Sequence, residues 1–183
     1  MPSKISQEYL KSVLDYDPVS GIFIWKVSSA NNQHEVGSIA GVSVNHGNKT
    51  NYVMIGINKQ SYRAHRLAFL YMTGEIPFHV DHKDRDGTNN KWENLRPSNK
   101  QSNAANTDRR LDNTSGYKGV SYKAGKHRQK RWRACIFKDG KQISIGVYTT
   151  KEEAAKAYDE IVVVLFGEFG VTNKSLGLLK EQS

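Results

Sequence analysis

The chain contains a single cysteine, Cys135, among its 183 residues. One thiol cannot close an internal disulfide, and it rules out a four-cysteine zinc cage as an internal staple. Long apolar runs are missing too. The longest, Ile161 to Phe166, is six residues, against the roughly 18 that a membrane span requires. The opening residues, Met-Pro-Ser-Lys-Ile-Ser-Gln-Glu, hold no apolar signal-peptide core. These absences point to a reducing setting, with the cytoplasm as the expected location and no membrane partner. What is present, 25% charged and 37% hydrophobic residues, is the balance of a folded globular chain rather than a disordered one.

Charge of one sign is concentrated. The formal net charge is +9. Between Ser98 and Thr150 there are twelve Lys and Arg against three Asp, so the rest of the chain is balanced. A localised basic surface points to a polyanion, most often nucleic acid. A solvated basic face that binds nothing is the ordinary alternative.

Hydrophobic spacing gives the outline. Tyr9, Leu10, Val13 and Leu14 recur at helical spacing within Ser6 to Leu14. Asp17-Pro18 and Ser20-Gly21 turn the chain, and Ile22 to Trp25 is a strand with Trp25 in the core. Residues 27–51 are polar and rich in Gly and Asn, and predict loops with one short strand near Ser38-Ile39-Ala40. Tyr52 to Ala64 alternates as a hairpin that turns at Asn58-Lys59. His65 to Met72 is helical and stops at Gly74. His65 is expected to be structural.

The stretch from Phe78 to Asn103 concentrates the chemistry. A short β-prone run ends on Asp81-His82, and a charged, turn-rich loop follows. A second strand holds Asn94 and Leu95 and is broken by Pro97. Ser98 with Gln101 has capping-box spacing, which predicts a helix carrying Asn103. A carboxylate and an amide oxygen are hard ligands that suit a hydrated Mg²⁺. A neighbouring imidazole takes a proton from water near neutral pH, and an amide can hold its tautomer. Asp81 and Asn103 are thus candidate metal ligands, His82 the candidate base and Asn94 the candidate orienting group. Solvated turn residues are the plain alternative. Asp84, Asp86, Asn89 and Asn90 are expected in loop-bracing roles, and Trp92 as a core plug.

Val80-Asp81-His82, Asn90, Glu93-Asn94-Leu95-Arg96 and Ser102-Asn103 resemble the HNH endonuclease motif in its ββα-metal form, over about Tyr62 to Asn106. The likeness is to the phage and intron-homing subgroup. It implies hydrolysis of a DNA phosphodiester bond with one Mg²⁺ or Mn²⁺ per site, held by Asp81 and Asn103, with His82 as base and Asn94 orienting it. His65-Arg66 resembles a His-Arg pair that precedes the motif in that family, which makes Arg66 a candidate phosphate clamp or brace for the metal site, with a structural salt bridge as the equal alternative. The resemblance also implies a phage or mobile-element origin in a bacterial host.

Past Asn106 the pattern changes. Residues 107–115 are polar and predict a linker, with Arg109-Arg110 able to follow a phosphate backbone. Tyr117 to Tyr122, Arg131 to Phe137 and Gln142 to Tyr148 are three strand candidates, with turns at Gly125-Lys126 and Asp139-Gly140. Thr150 to Glu153 is a capping box that opens a helix. Alternation puts Arg131, Arg133, Cys135 and Phe137 on one face of the middle strand, and Trp132, Ala134 and Ile136 toward the helix. Gly116 to Val120, Arg131 to Ala134, Ile145 to Tyr148 and Thr150 to Asp159 resemble the Apetala/ethylene-response-factor DNA-binding domain. The resemblance implies a basic sheet laid on duplex DNA, with Lys118, Lys123, Arg131, Arg133, Gln142 and Ser144 at its contact positions. Lys118, Ser121, Lys123, Cys135, Gln142 and Ser144 stand at positions where the plant domains carry several arginines and tryptophans, so their base preference does not transfer.

The expected fold is α+β. It combines a nuclease module with a helix/strand leader (1–106), a linker (107–115), a three-stranded antiparallel sheet packed on one helix (116–170) and a tail (171–183). The expected function is a metal-dependent endonuclease on double-stranded DNA, nicking as a monomer or cutting both strands as a dimer. The alternatives are a DNA-binding transcription regulator with a decayed nuclease module and an RNA-directed nuclease.

Overall fold

The computed structural model describes residues 5–28, 34–45, 51–123 and 131–179. The chain is α+β with small antiparallel sheets, and its contacts divide it into two compact units, residues 1–99 and 100–183. The Gly125-Lys126 turn and the basic residues Lys126, Arg128 and Lys130 lie outside the described residues. Among those described, no helix is long and apolar enough to cross a membrane.

In the first unit, helix α1 (Gln7–Val13) starts where the Ser6 side chain accepts from the Tyr9 amide, a cap worth about 1 kcal/mol. It runs into a hairpin, β1 (Leu14–Asp17) with β2 (Ile22–Trp25), and Ile39 adds one bridge to Ile24. A second sheet follows: β3 (Val42–Val44), β4 (Tyr52–Ile57) and β5 (Gln60–Arg63). The β4–β5 turn places Asn58 and Lys59 at φ 51° and 62°, the left-handed pair that matches the twist of adjoining strands. Helix α2 (Ala64–Thr73) ends on Gly74 in the left-handed region. Leu10, Leu14, Phe23, Ile55 and Leu67 fill the core these elements share, and Trp92 packs at its margin against Phe69. The last two strands, β6 (His79–His82) and β7 (Leu95–Ser98), pair antiparallel, so Asp81 sits across from Arg96 and His82 across from Leu95.

The second unit begins with α3 (Lys100–Ala105). Its sheet is β8 (Val120–Tyr122), β9 (Trp132–Lys138) and β10 (Lys141–Tyr148), with β9 in the middle. Helix α4 (Lys151–Phe166) crosses one face. Thr150 and Glu153 form the expected reciprocal capping box at its start. Ala134 and Ile136 point into the core against Ala154, Ala155, Tyr158 and Val162, as the alternation in β9 requires. The close fit has a backbone consequence at Gly119, whose φ is +74°. A Cβ there would lie 2.0 Å from the Tyr158 ring.

Three local expectations give way. The second strand is not broken at Pro97: β7 runs through it to Ser98, with Pro97 across from Val80, and Asn94 ends a 3-10 turn (Trp92–Asn94) before the strand begins. Proline is tolerated there because a two-stranded sheet has only edge strands. The capping box at Ser98 does not form. Ser98 ends β7 with a buried hydroxyl that has no hydrogen-bond partner among the described residues, and Gln101 donates instead to Asp139 at 2.6 Å. Strand pairing claims Ser98 before the helix begins. The first strand of the second sheet is also shorter than Tyr117 to Tyr122, because Asn113 and Ser115 hold residues 115–119 in turns. The Asn113 amide nitrogen donates to the carbonyls of Tyr117 and Val120, and the Ser115 hydroxyl lies within hydrogen-bond reach of both.

Candidate active site

His82 closes β6 and is 5% exposed. Its ring meets His65 edge-on, with centroids 4.9 Å apart, and lies 6.0 Å from the Tyr52 ring. Its Nε2 lies 3.3 Å from Asn90 Oδ1. The Asn90 amide nitrogen donates to Thr88 O at 3.0 Å, so the oxygen is the atom turned to His82. An acceptor at Nε2 selects the tautomer protonated there and leaves the basic lone pair on Nδ1. Burial lowers the His82 pKa from its ordinary value, against an upward pull from the Asn90 bond and the carboxylates of Asp84, Asp81 and Asp86. The ring is therefore neutral at pH 7, the form able to accept a proton.

The amide beside His82 is Asn90 rather than Asn94, which corrects the role assigned to Asn94. Its nitrogen donates to Asp84 Oδ1 (2.9 Å) and Asn89 O (2.8 Å), and its oxygen accepts from the Asp84 amide (3.1 Å). Asn94 thus braces the loop. Asp84 is the other half of that brace, also accepting from Asn89 Nδ2 at 2.6 Å and the Asp86 amide at 2.9 Å. Burial works to raise the Asp84 pKa, but these hydrogen bonds outweigh it and the net shift is downward. Arg85 takes φ 69° to let the loop fold back. Asp86 closes its own turn on Thr88. Asn90 was expected only to steady the loop. The signal for its larger role is its place in an Asn89-Asn90 pair eight residues after His82, a span that becomes a contact only once Asp84 has folded the loop.

Asp81 is held across the strand pair by Arg96, with Nε and Nη2 at 3.0 and 2.9 Å from Oδ2 and both side chains largely buried. Asn103 is on α3 in the second unit, where its Oδ1 is buried without a hydrogen-bond partner among the described residues. A buried amide oxygen without a donor suits a hard cation. Among the described residues, no three His, Cys, Asp or Glu side chains cluster as a metal site. A Mg²⁺ ion that keeps most of its waters requires only one or two protein oxygens. Arg66 donates to Phe78 O at 3.1 Å, where the chain enters β6. His65 is buried, and its pKa falls to about 3, chiefly through burial and then through the charges of His82, Arg63 and Arg66.

The open face of the second sheet carries Ser121, Arg133, Cys135, Phe137, Gln142 and Ser144 on paired positions. Arg133 donates to Gln142 Oε1 at 3.1 Å and Arg131 to Tyr122 Oη at 2.9 Å. Lys123 and Ser144 are exposed. Arg109 donates to Asn113 O, and Arg110 forms an exposed pair with Asp112 at 3.0 Å, which is worth little in water. Lys118 is not on this face, contrary to expectation. Its ammonium is buried and donates to Ala105 O and Thr107 O, both at 2.6 Å. The cause is the late start of β8: Lys118 precedes the strand, in the turn facing the end of α3.

Comparison with known proteins agrees with the first half of this geometry. Residues 62–105 match the HNH endonuclease family model. The HNH match runs from Tyr62 in β5 to the last residue of α3 and includes Asp81, His82, Asn90, Asn94 and Asn103. The chain is also 34% identical over 113 residues to an uncharacterized HNH endonuclease of Acanthamoeba polyphaga mimivirus, covering 60% of this chain and 56% of that protein. The chain thus spans little more than half of that relative's length. The relative comes from a virus of amoebae, so the expected phage or bacterial origin gains no support from it. No solved structure matches the chain.

Proposed function

We propose that the chain is a divalent-metal-dependent endonuclease that hydrolyses phosphodiester bonds in double-stranded DNA, held on the duplex by its basic sheet. One observation carries the reading. Within the HNH-matching stretch, a buried, neutral His82 is fixed by Asn90 at a strand end beside Asp81. His82 Nδ1 takes a proton from a water, which attacks phosphorus in line with the 3′ oxygen that leaves. Asp81 and Asn103 are the side chains that would supply oxygen ligands to one Mg²⁺ or Mn²⁺. When bound, such an ion neutralises charge on the scissile phosphate and the departing oxygen. Arg66 keeps one guanidinium nitrogen on Phe78 O and offers the others to a phosphate. One such site cuts one strand, so a monomer nicks.

The sheet supplies affinity. Arg131, Arg133, Lys123, Gln142 and Ser144 lie on the open side of β8–β10 or beside it, with Arg109 and Arg110 before the sheet. Cations on phosphates gain affinity through counterion release, and a two- or three-stranded ribbon fits a major groove. The resemblance to the Apetala/ethylene-response-factor domain supports the same placement.

A competing reading, a DNA-binding regulator whose nuclease has decayed, is favoured by the Asp81–Arg96 pair, because a carboxylate held by arginine has a competitor for metal. Plasmid nicking separates the two. Wild type should nick supercoiled plasmid with Mg²⁺ or Mn²⁺ and stop in EDTA. His82→Ala should lose at least about 100-fold in rate, the lower end for a general base. Tight duplex binding with no metal-dependent nicking would establish the regulator reading. Preferred cleavage or binding of single-stranded RNA would move the substrate to RNA.

A further inference from the structure

The loop that presents Asn90 to His82 is clamped from outside the HNH-matching stretch, by the β1–β2 hairpin. The Tyr16 hydroxyl donates to the Asn90 carbonyl at 2.7 Å, a buried bond linking positions 74 residues apart. Two residues on, the Trp92 amide donates to Pro18 O at 2.9 Å. Between these bonds the two backbones touch. Gly21 has φ +75°, and a Cβ there would lie 2.3 Å from Lys91 N and 2.4 Å from the Asn90 carbonyl carbon. Only a residue without a side chain admits the loop this closely.

The clamp is itself rigid. The Tyr16 ring lies 4.6 Å from Phe23 and 5.8 Å from Tyr71. The Asp17 carboxylate accepts from the amides of Val19 and Ser20, closing the turn. Asn90 itself is 3% exposed. Its contact with His82, at 3.3 Å, is already long for a hydrogen bond, so a shift of a few tenths of an ångström in the loop breaks it.

We infer that the β1–β2 hairpin is a positioning element for His82, acting through Asn90, with Tyr16 as its positioning residue and Gly21 as the contact that sets the distance. This rests on the proposed reading of His82 as the base. The leader is therefore part of the active-site architecture although the family match begins only at Tyr62.

The test uses the full chain. Tyr16→Phe deletes one hydroxyl and keeps the ring. It should lower kcat for plasmid nicking about tenfold, the effect of one hydrogen bond's worth of misplacement, with KM for plasmid unchanged. In an Asn90→Ala background the same change should cost nothing further, because both act through one contact. Gly21→Ala should act in the same direction. Tyr62→Phe, which removes a 2.6 Å hydroxyl bond to Gln60 in the same unit, should leave kcat at the wild-type value.

An activity-independent readout separates this inference from the base assignment. The His82 ring cross-peaks in a ¹H–¹³C spectrum should move in Tyr16→Phe and Gly21→Ala but not in Tyr62→Phe. Unmoved peaks in folded Tyr16→Phe and Gly21→Ala proteins would overturn the inference, as would a Tyr16→Phe loss that multiplies in the Asn90→Ala background. A wild-type protein that does not nick removes His82 as base, and the spectrum then decides on its own whether the hairpin positions the ring.

Discussion

Around His82 the polar side chains face inward: His82, Asn90, Asn94 and Arg96 are all buried. On the β8–β10 sheet, Arg131, Lys123, Gln142 and Ser144 face solvent, and the Arg131–Tyr122 and Arg133–Gln142 hydrogen bonds lie at the exposed surface. The first arrangement stores orientation. Each buried group is fixed by the next, so displacing one disturbs several. The second stores little, because exposed bonds exchange readily with water and with a ligand. A site that must place one atom against another needs the former. A surface that must follow a charged backbone works with the latter. Single substitutions should therefore act sharply in the first region and gradually in the second.

The largest effect should come at Asp81. Alanine there would strand the buried Arg96 guanidinium, at a cost of about 3–5 kcal/mol, and confuse folding with chemistry. Asp81→Asn keeps an acceptor for Arg96 and removes the charge. It should reduce nicking about 1,000-fold, roughly 4 kcal/mol of barrier, while duplex affinity measured in EDTA stays at the wild-type value. Loss of binding together with cleavage would break the division of labour between the two regions.

Next is acid. The His65 pKa in the folded chain is about 3, below its ordinary 6.5, so between those values the unfolded chain binds more protons. Stability is then complete above pH 6.5 and erodes as pH falls toward 3, by up to about 1.4 kcal/mol per unit for each buried histidine. His82 adds in the same direction. Melting temperature followed from pH 7 to 4.5 should drop, with a shallower slope in His65→Leu. A flat profile in the wild type would mean that the histidine pair is not buried as described.

Lys118 gives an intermediate effect and inverts the simple expectation for a basic residue. Lys118→Met should lower stability by about 1–3 kcal/mol, because two carbonyls lose their donor. DNA affinity of the folded fraction should be unchanged. Thermal unfolding beside a binding titration distinguishes this from a phosphate contact. An effect of similar size, on binding rather than stability, should be seen at Arg133. Arg133→Ala should weaken duplex binding by about 1–3 kcal/mol, leaving kcat at saturating DNA unchanged. An affinity equal to wild type would remove the open sheet as the contact surface.

Much of this was legible in the residues. The Asn58-Lys59 and Asp139-Gly140 turns, the β9 alternation and the Thr150–Glu153 box are local patterns, and local geometry decided each of them. Asp81 and His82 were legible as a strand end. The choice between Asn90 and Asn94 was not, because it depends on how Asp84 folds the connection 83–94 between β6 and β7, and both amides have the right chemistry. Ser98 was misread because strand pairing and capping compete for one residue, and spacing does not rank them. Lys118 was misread because the strand begins three residues later than Tyr117, at Val120, which leaves Lys118 in the turn before it.

The short helix α3 carries a practical consequence for anyone cutting this protein into parts. Six residues of helix do not persist alone in water. This helix is secured at its last residue, where Ala105 O accepts from buried Lys118 and from the Val171 amide. Both donors lie beyond residue 105, where the family match stops. A fragment ending there would keep every motif residue, yet Asn103 would sit on an unsupported segment. A fragment that keeps Asn103 supported should therefore run past Val171, rather than end in the stretch 107–115.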